Sequence, residues 1–297
     1  MKEIRSSSTT RMCAMGPEEQ SQSLTDEWST RKIAYLRDTQ YATTANLDAR
    51  VALHVKYTEA TQSWFDWLVD QIEWDRFHDV LEVGCGTGLL WTFVPSSATP
   101  DHDITLIDLS QTMVDTAAAR ATSHGHAVRA FTADVHALPF EDHSFDLVIA
   151  NHMLYHSPAP AIAIKEIARV LRSGGTLVAA TNGPKHLAEL RDIEVAVFGP
   201  ADERSGNVKI FGSLSGLPLL QQQFDDVEWR GHEDRLLCTD PDNVLAYLTS
   251  MKPGSEASES QLADICSAIR HRIALGDGVF EVSKESGAFM AQKPLKA

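Results

Sequence analysis

Three glycines at alternate positions, Gly84, Gly86 and Gly88, lie in DVLEVGCGTGLLW (residues 79–91), after an apolar run and before a helix-compatible one. Such a turn brings backbone N–H groups and a helix N-terminus close to a ligand, with glycine where a Cβ would collide. The spacing G-C-G-T-G argues against a dinucleotide fingerprint, whose third glycine would fall at Leu89. The G-x-x-x-x-G-K-[ST] of an ATP P-loop is absent. Glu82, two residues before Gly84, would repel a pyrophosphate and suits an ammonium group. Asp108 ends the next strand-like run, where a carboxylate can accept from both ribose hydroxyls. Asp134 ends the third and can accept from an adenine amino group, with the Val135 N–H pairing to a ring nitrogen. The ligand so described carries a ribose, an adenine and a positive tail.

A second cluster, NHMLYHSP (residues 151–158), offers three candidate proton acceptors, His152, Tyr155 and His156. Histidine titrates near neutral pH, and the cluster follows a strand, at the open edge of a pocket. The competing reading makes His152 a turn cap and Tyr155 a packing residue. His186, after the fifth strand, borders the same region. The runs 101–103 and 141–143, with His124 and His126, lack the spacing of a metal site and read as solvated loops.

These residues need a scaffold. VLEV, DITLIDLS (103–110), VRAFTADV (128–135), FDLVIANHML (145–154) and TLVAATNG (176–183) read as strands. TMVDTAAARATSHG and AIAIKEIARVLRSGG, the latter stopped at Gly174 and Gly175, read as helices between them. Strands alternating with helices imply βαβ units and a parallel sheet. Upstream, Leu47, Val51 and His54 share one helical face, and Trp64, Leu68 and Ile72 another. Trp64, Trp67 and Trp74 read as packing. Beyond Gly183, helices are expected over 187–197, 242–251 and 259–275 and a strand over 227–240. VFEVSKESGAFMAQK (279–293) is expected to be a closing hairpin or one long edge strand.

Composition sets outer limits. The 297 residues are 43% hydrophobic and 23% charged, with a formal net charge of −15. That charge repels phosphates, so nucleic acid and anionic membranes are excluded as main partners. No apolar run nears the ~20 residues of a membrane span. Four cysteines, Cys13, Cys85, Cys238 and Cys266, form no C-x-x-C pair and read as free thiols of a reducing, cytoplasmic compartment. The first 26 residues lack the apolar core of a secretory signal and read as a disordered tail.

DVLEVGCGTG, ITLIDLS, FTADVHALPFEDHSFDLVIANHMLYH and EIARVLRSGGTLVAATNG together resemble the class I S-adenosylmethionine-dependent methyltransferases, strongly over residues 79–183 and weakly outside them. The resemblance implies a doubly wound, mostly parallel seven-stranded α/β sheet of Rossmann-like type with a helical cap. Its expected division is a tail (1–26), an N-terminal helical cap (27–76), a cofactor core (77–183), substrate-side additions (184–276) and closing strands (277–297). It implies that Gly84, Cys85, Gly86 and Gly88 wrap the methionine part of S-adenosylmethionine, supported by Glu82, with Asn151 on the same side. Asp108 would hold the ribose, Leu109 and Met113 would pack on the adenine, and Asp134 and Val135 would read its edge. Arg50 and His54 would close over the cofactor. The function implied is methylation of a small molecule at N, O or C, in secondary metabolism, by a monomer or homodimer and with no metal. A cyclase or lyase using the bound sulfonium, or a non-catalytic scaffold, is the alternative.

Overall fold

The most apolar runs become strands buried on both faces, as a parallel sheet between two helical layers requires. In a computed structural model, which describes residues 45–99, 101–200 and 206–294, β1 (Asp79–Val83), β2 (Asp103–Asp108), β3 (Val128–Thr132), β4 (Phe145–Asn151) and β5 (Leu171–Asn182) pair in parallel. β6 (Asp226–Cys238) and β7 (Phe280–Gln292) complete a seven-stranded sheet of order β3-β2-β1-β4-β5-β7-β6. β7 runs antiparallel to both neighbours. The expected tail and residues 27–44 of the expected cap lie outside the described residues, as does Cys13; Cys85, Cys238 and Cys266 are free thiols.

Three helices flank the parallel strands: α2 (Trp64–Asp70), α3 (Gln111–Ser123) and α4 (Pro160–Val170). One apolar cluster joins Leu81, Val148, Ile164 and Leu177 on one face of the sheet; Val80, Trp91, Leu106 and Leu147 anchor the other. A third cluster packs α1 (Ala45–Tyr57), α5 (Ala188–Phe198), α8 (Pro241–Thr249) and α9 (Glu259–Leu275) over the ends of β6 and β7. Two short helices, α6 (Gly206–Phe211) and α7 (Gly216–Leu220), follow α5.

Four expectations shift, each for a local reason. The run after the glycine turn forms only one 3₁₀ turn, Leu89–Thr92, because Pro95 stops it and Trp91 folds back into the core. No helix N-terminus therefore serves the turn. β5 begins at Leu171, so LRSGG is strand, reached through a register shift against β4 between Phe145 and Leu147. β3 and β4 stop at Thr132 and Asn151, short of Asp134 and His152. Residues 280–292 form one strand, but an interior one: β6 takes the edge.

The turn explains its third glycine. Gly88 has φ +67°, and a Cβ there would lie 2.8 Å from Ala117 of α3. Gly88→Ala is expected to cost about 2–5 kcal/mol, combining left-handed strain of about 1–2 with overpacking of about 1–3. A thermal unfolding midpoint within a degree of the parent would show that α3 yields freely.

Candidate active site

The carboxyl ends of β1, β2, β4 and β5 open on one cavity of about 630 Å³. It lies where the order of strands reverses, between β1 and β4, as expected for a ligand site in a doubly wound sheet.

On one side the wall is built from the glycine turn. Gly84, Gly86 and Gly88 all have positive φ, +62°, +52° and +67°. Gly84 and Gly86 line the cavity with Cys85, and a Cβ on Gly84 would lie 2.8 Å from the Met153 side chain. Asp108 organises the turn: Oδ2 accepts from the Gly86 N–H and Oδ1 from the Ser110 N–H, both at 3.0 Å. Leu109, Met113 and Val135 also face the cavity.

Glu82 is 2% exposed and accepts a 2.7 Å hydrogen bond from Trp91 Nε1. Burial pushes its carboxyl up to about 8, with the Asp108 charge adding to the rise and the Trp91 bond opposing it. Burial also raises Asp108 and carries Cys85 well above the usual thiol range. A carboxyl held so high lacks a cation. The Asn151 carbonyl oxygen is likewise enclosed with no hydrogen-bond partner.

Two expected cofactor residues stand off the wall. Gly88 serves helix packing. Asp134 accepts from the backbone N–H of His136 at 2.9 Å and pairs with its Nδ1 at 2.6 Å, and His136 Nε2 meets Ser157 Oγ at 2.6 Å. These bonds hold Asp134 below the usual carboxylate range, and the cavity wall runs through Ala133, Val135 and His136 instead. Neither His136 nor Ser157 was singled out from the sequence, though D-x-H is a spacing that lets a histidine turn back onto a carboxylate.

The opposite side gathers histidines. His54, expected over the cofactor, lines the cavity and stacks on His186, with ring centroids 6.0 Å apart and planes 16° apart. Arg50 lines the cavity on the same helix. His152 lies just past β4 at φ +55°, its N–H bonded to the Ala180 carbonyl, 4.8 Å from the Trp64 ring. Trp64 therefore touches the cavity, whereas Trp67 packs on His232 and Trp74 on Trp91. Burial, then the nearby Lys284 charge, lowers His54 to about 3 and His152 to about 4. Burial, then His54, His152 and Lys284, takes His186 well below its usual value. All three imidazoles are neutral at physiological pH. Tyr155 and His156 line the cavity beside them.

Lys284 itself pairs with Asp234, which also accepts from Thr58 Oγ1 at 2.7 Å and the Ala60 N–H at 3.0 Å. The pair ties α1 to β6 and β7. The loop histidines have local partners: His102 meets the Trp74 carbonyl, His126 the Val94 carbonyl and Thr99, and His143 the Leu171 carbonyl. Among the described residues no three His, Cys, Asp or Glu side chains are grouped to hold a metal ion. Among them, too, no helix is long and apolar enough to cross a membrane.

The fold is a Rossmann-like, doubly wound α/β fold. It superposes on the YcgJ protein of Bacillus subtilis with a TM-score of 0.55, at 17% identity over 78% of this chain and 98% of that one. Residues 81–179 match the methyltransferase domain family. Over 122 residues the chain is 36% identical to a malonyl-(acyl-carrier protein) O-methyltransferase of a Paenibacillus species, covering 40% of this chain and 44% of the relative. Over 99 residues it is 39% identical to a demethylmenaquinone methyltransferase of Staphylococcus aureus, covering 33% and 40%. The chain thus spans less than half the length of these curated relatives. Residues 81–179 thus form a methyltransferase domain similar to the class I, S-adenosylmethionine-dependent type.

The cavity fits that cofactor on its own evidence. A buried carboxyl without a cation, an enclosed amide oxygen without a donor and a carboxylate at the end of β2 match an ammonium group and a ribose.

Proposed function

We propose that the protein methylates a small molecule. The observation that carries this reading is the continuity of the cavity: one wall fits the cofactor, and the other is lined by neutral imidazoles and apolar side chains. The cofactor supplies an activated methyl group, so the chain's task is to align an acceptor and exclude water. Glu82 receives the ammonium and Asn151 lies on the same side; Asp108 holds the ribose; Leu109 and Met113 flank the adenine, with Val135 at its edge. Arg50 stands where a guanidinium can pair with the methionine carboxylate. Helices α1, α5, α8 and α9 act as the cap that sets acceptor choice, in keeping with an acceptor of secondary metabolism. Tyr155 and His156 border that acceptor. The net charge of −15 supports an enzyme without nucleic-acid or anionic-membrane partners, and the free thiols suit a reducing, cytoplasmic compartment.

Glu82 gives the reading a direct test. Its folded pKa lies above the ordinary carboxylate value, so the stability its proton contributes is present below about 4.5 and is lost as pH rises through about 8. A bound ammonium favours the carboxylate, so binding below pH 8 releases a proton. Calorimetry with S-adenosylhomocysteine in buffers of different ionisation heat is expected to show proton release near pH 6–7 that fades above about 8. Glu82→Gln is expected to remove it. No binding of S-adenosylhomocysteine at any pH would overturn the proposal.

A further inference from the structure

The three enclosed histidines do not present the same nitrogen chemistry. Ser286 Oγ donates to Asn182 Oδ1 at 2.9 Å, which commits the only proton on that hydroxyl. The contact of 3.2 Å between Ser286 Oγ and His186 Nδ1 is then a hydrogen bond donated by the imidazole. Neutral His186 therefore carries its proton on Nδ1, and Nε2 is a bare lone pair on a residue that lines the cavity. His54 and His152 are the reverse. Their Nδ1 atoms are enclosed without a partner. A buried N–H left unbonded is rarer than a buried acceptor left unbonded, so the proton sits on Nε2 in both rings. The cluster thus offers one acceptor and two donors.

The backbone also marks the place. Of the described non-glycine residues, four have positive φ, and two of them, His152 and Leu187 beside His186, sit at this cluster. Such strain persists where surrounding structure enforces a geometry.

We propose that His54, His152 and His186 form the acceptor subsite, that it takes a neutral hydroxyl of phenol or enol type on an apolar body, and that His186 Nε2 accepts the hydroxyl proton. The inference rests on the methyltransferase reading above. A hydroxyl can donate to His186 while accepting from His54 or His152, and still keeps a lone pair for attack. A neutral amine has a single lone pair, which the donors would occupy. A carboxylate has no proton for His186. Leu187, Leu190, Leu248 and Met251 line the cavity nearby and suit the apolar body.

The step balances. The acceptor oxygen bonds the methyl carbon as the carbon–sulfur pair withdraws onto sulfur, and the hydroxyl proton passes to His186. One positive charge leaves sulfur and one appears on the imidazole. The charged and titratable groups facing His186 are His54 on α1, His152 after β4, Arg191 on α5 and Lys284 on β7, the last already paired with Asp234. Burial, with the Lys284 and Arg191 charges, keeps the imidazole neutral until the proton is transferred. Ser286 and Asn182 are positioning residues, acting through the tautomer.

The test uses the full chain loaded with S-adenosylhomocysteine and three probes on one skeleton: 2-naphthol, 2-naphthylamine and 2-naphthoate. Calorimetry is expected to show 2-naphthol at least tenfold tighter than the other two, and His186→Ala is expected to abolish that preference while still binding S-adenosylhomocysteine. Nitrogen-15 NMR of the imidazoles is expected to show His186 as the Nδ1–H tautomer, redistributed in Ser286→Ala. Naphthol binding no tighter than the other probes, a preference that survives His186→Ala, or an Nε2–H tautomer at His186 would each overturn the inference and leave cofactor binding intact. Failure of S-adenosylhomocysteine to bind would overturn the proposed function itself, and this inference with it.

Discussion

Asp108→Ala is expected to weaken S-adenosylhomocysteine binding by roughly 100-fold or more, since hydrogen bonds to a charged group contribute about 1.5–3 kcal/mol each. Two effects combine. The carboxylate accepts from the N–H groups of Gly86 and Ser110, so its removal releases the glycine turn and the start of α3. Under the proposed function it also removes the acceptor at the end of β2 for the two ribose hydroxyls. Asp108→Asn keeps one carbonyl oxygen, so its loss should fall between parent and alanine variant. Calorimetry resolves the three. A loss below tenfold for the alanine variant would place the ribose elsewhere on the wall.

Asp234→Ala is expected to lower global stability by about 3–5 kcal/mol, the typical result of stranding one member of a buried ion pair. The side chains of Lys284 and Asp234 are only 6% and 0% exposed, so the ammonium left behind is largely shielded from water. It would face His54 and His152, which are already neutral. The variant also loses the bonds from Thr58 and Ala60, and with them the tether of α1. The pairing with Lys284 holds Asp234 below its usual range even though burial opposes it. The stability it contributes is therefore present above about pH 4 and lost as pH falls further. Chemical denaturation measures both effects. The double variant Asp234→Leu, Lys284→Met is expected to recover much of the loss; if it proves no better than Asp234→Ala, the tether of α1 matters more than the charge.

The core strands are legible in the sequence because VLEV, ITLI and LVIA are buried on both faces, and continuous apolar runs ending at polar turns have few other uses. The spacing of Glu82, Gly84, Gly86 and Asp108 is legible for a related reason: backbone approach and charge both constrain residue type at short range. What escapes is decided at long range. Gly88 looks like a ligand residue until Ala117 is seen against it. Asp134 also meets His136, two residues on, through Oδ1, a contact that the sequence does not announce. The LRSGG segment reads as a helix end, yet Leu171 pairs with Phe145 of β4 and β5 begins there. His54 and His186 lie 132 positions apart and meet only because α1 and the loop after β5 converge beneath α8. Ser286 and Lys284 give no signal alone, since isolated polar residues in a strand most often face water.

The interior placement of β7 predicts an order of assembly. Every strand whose end carries a cofactor-side residue lies within positions 79–151, and these strands pair through short crossovers. β5 meets its antiparallel neighbour only after a further hundred residues, in the register Thr176–Gln292. Closing so long a loop is slow, and until then β5 shows an unpaired, apolar edge. Ser286 and Lys284 arrive with that strand. The proposed cofactor wall can thus form as an early folding unit, while the proposed acceptor wall is complete only once the sheet has been closed from the far end of the chain. Any circular permutation or cleavage that delays residues 280–292 would therefore separate the two halves of the cavity in time.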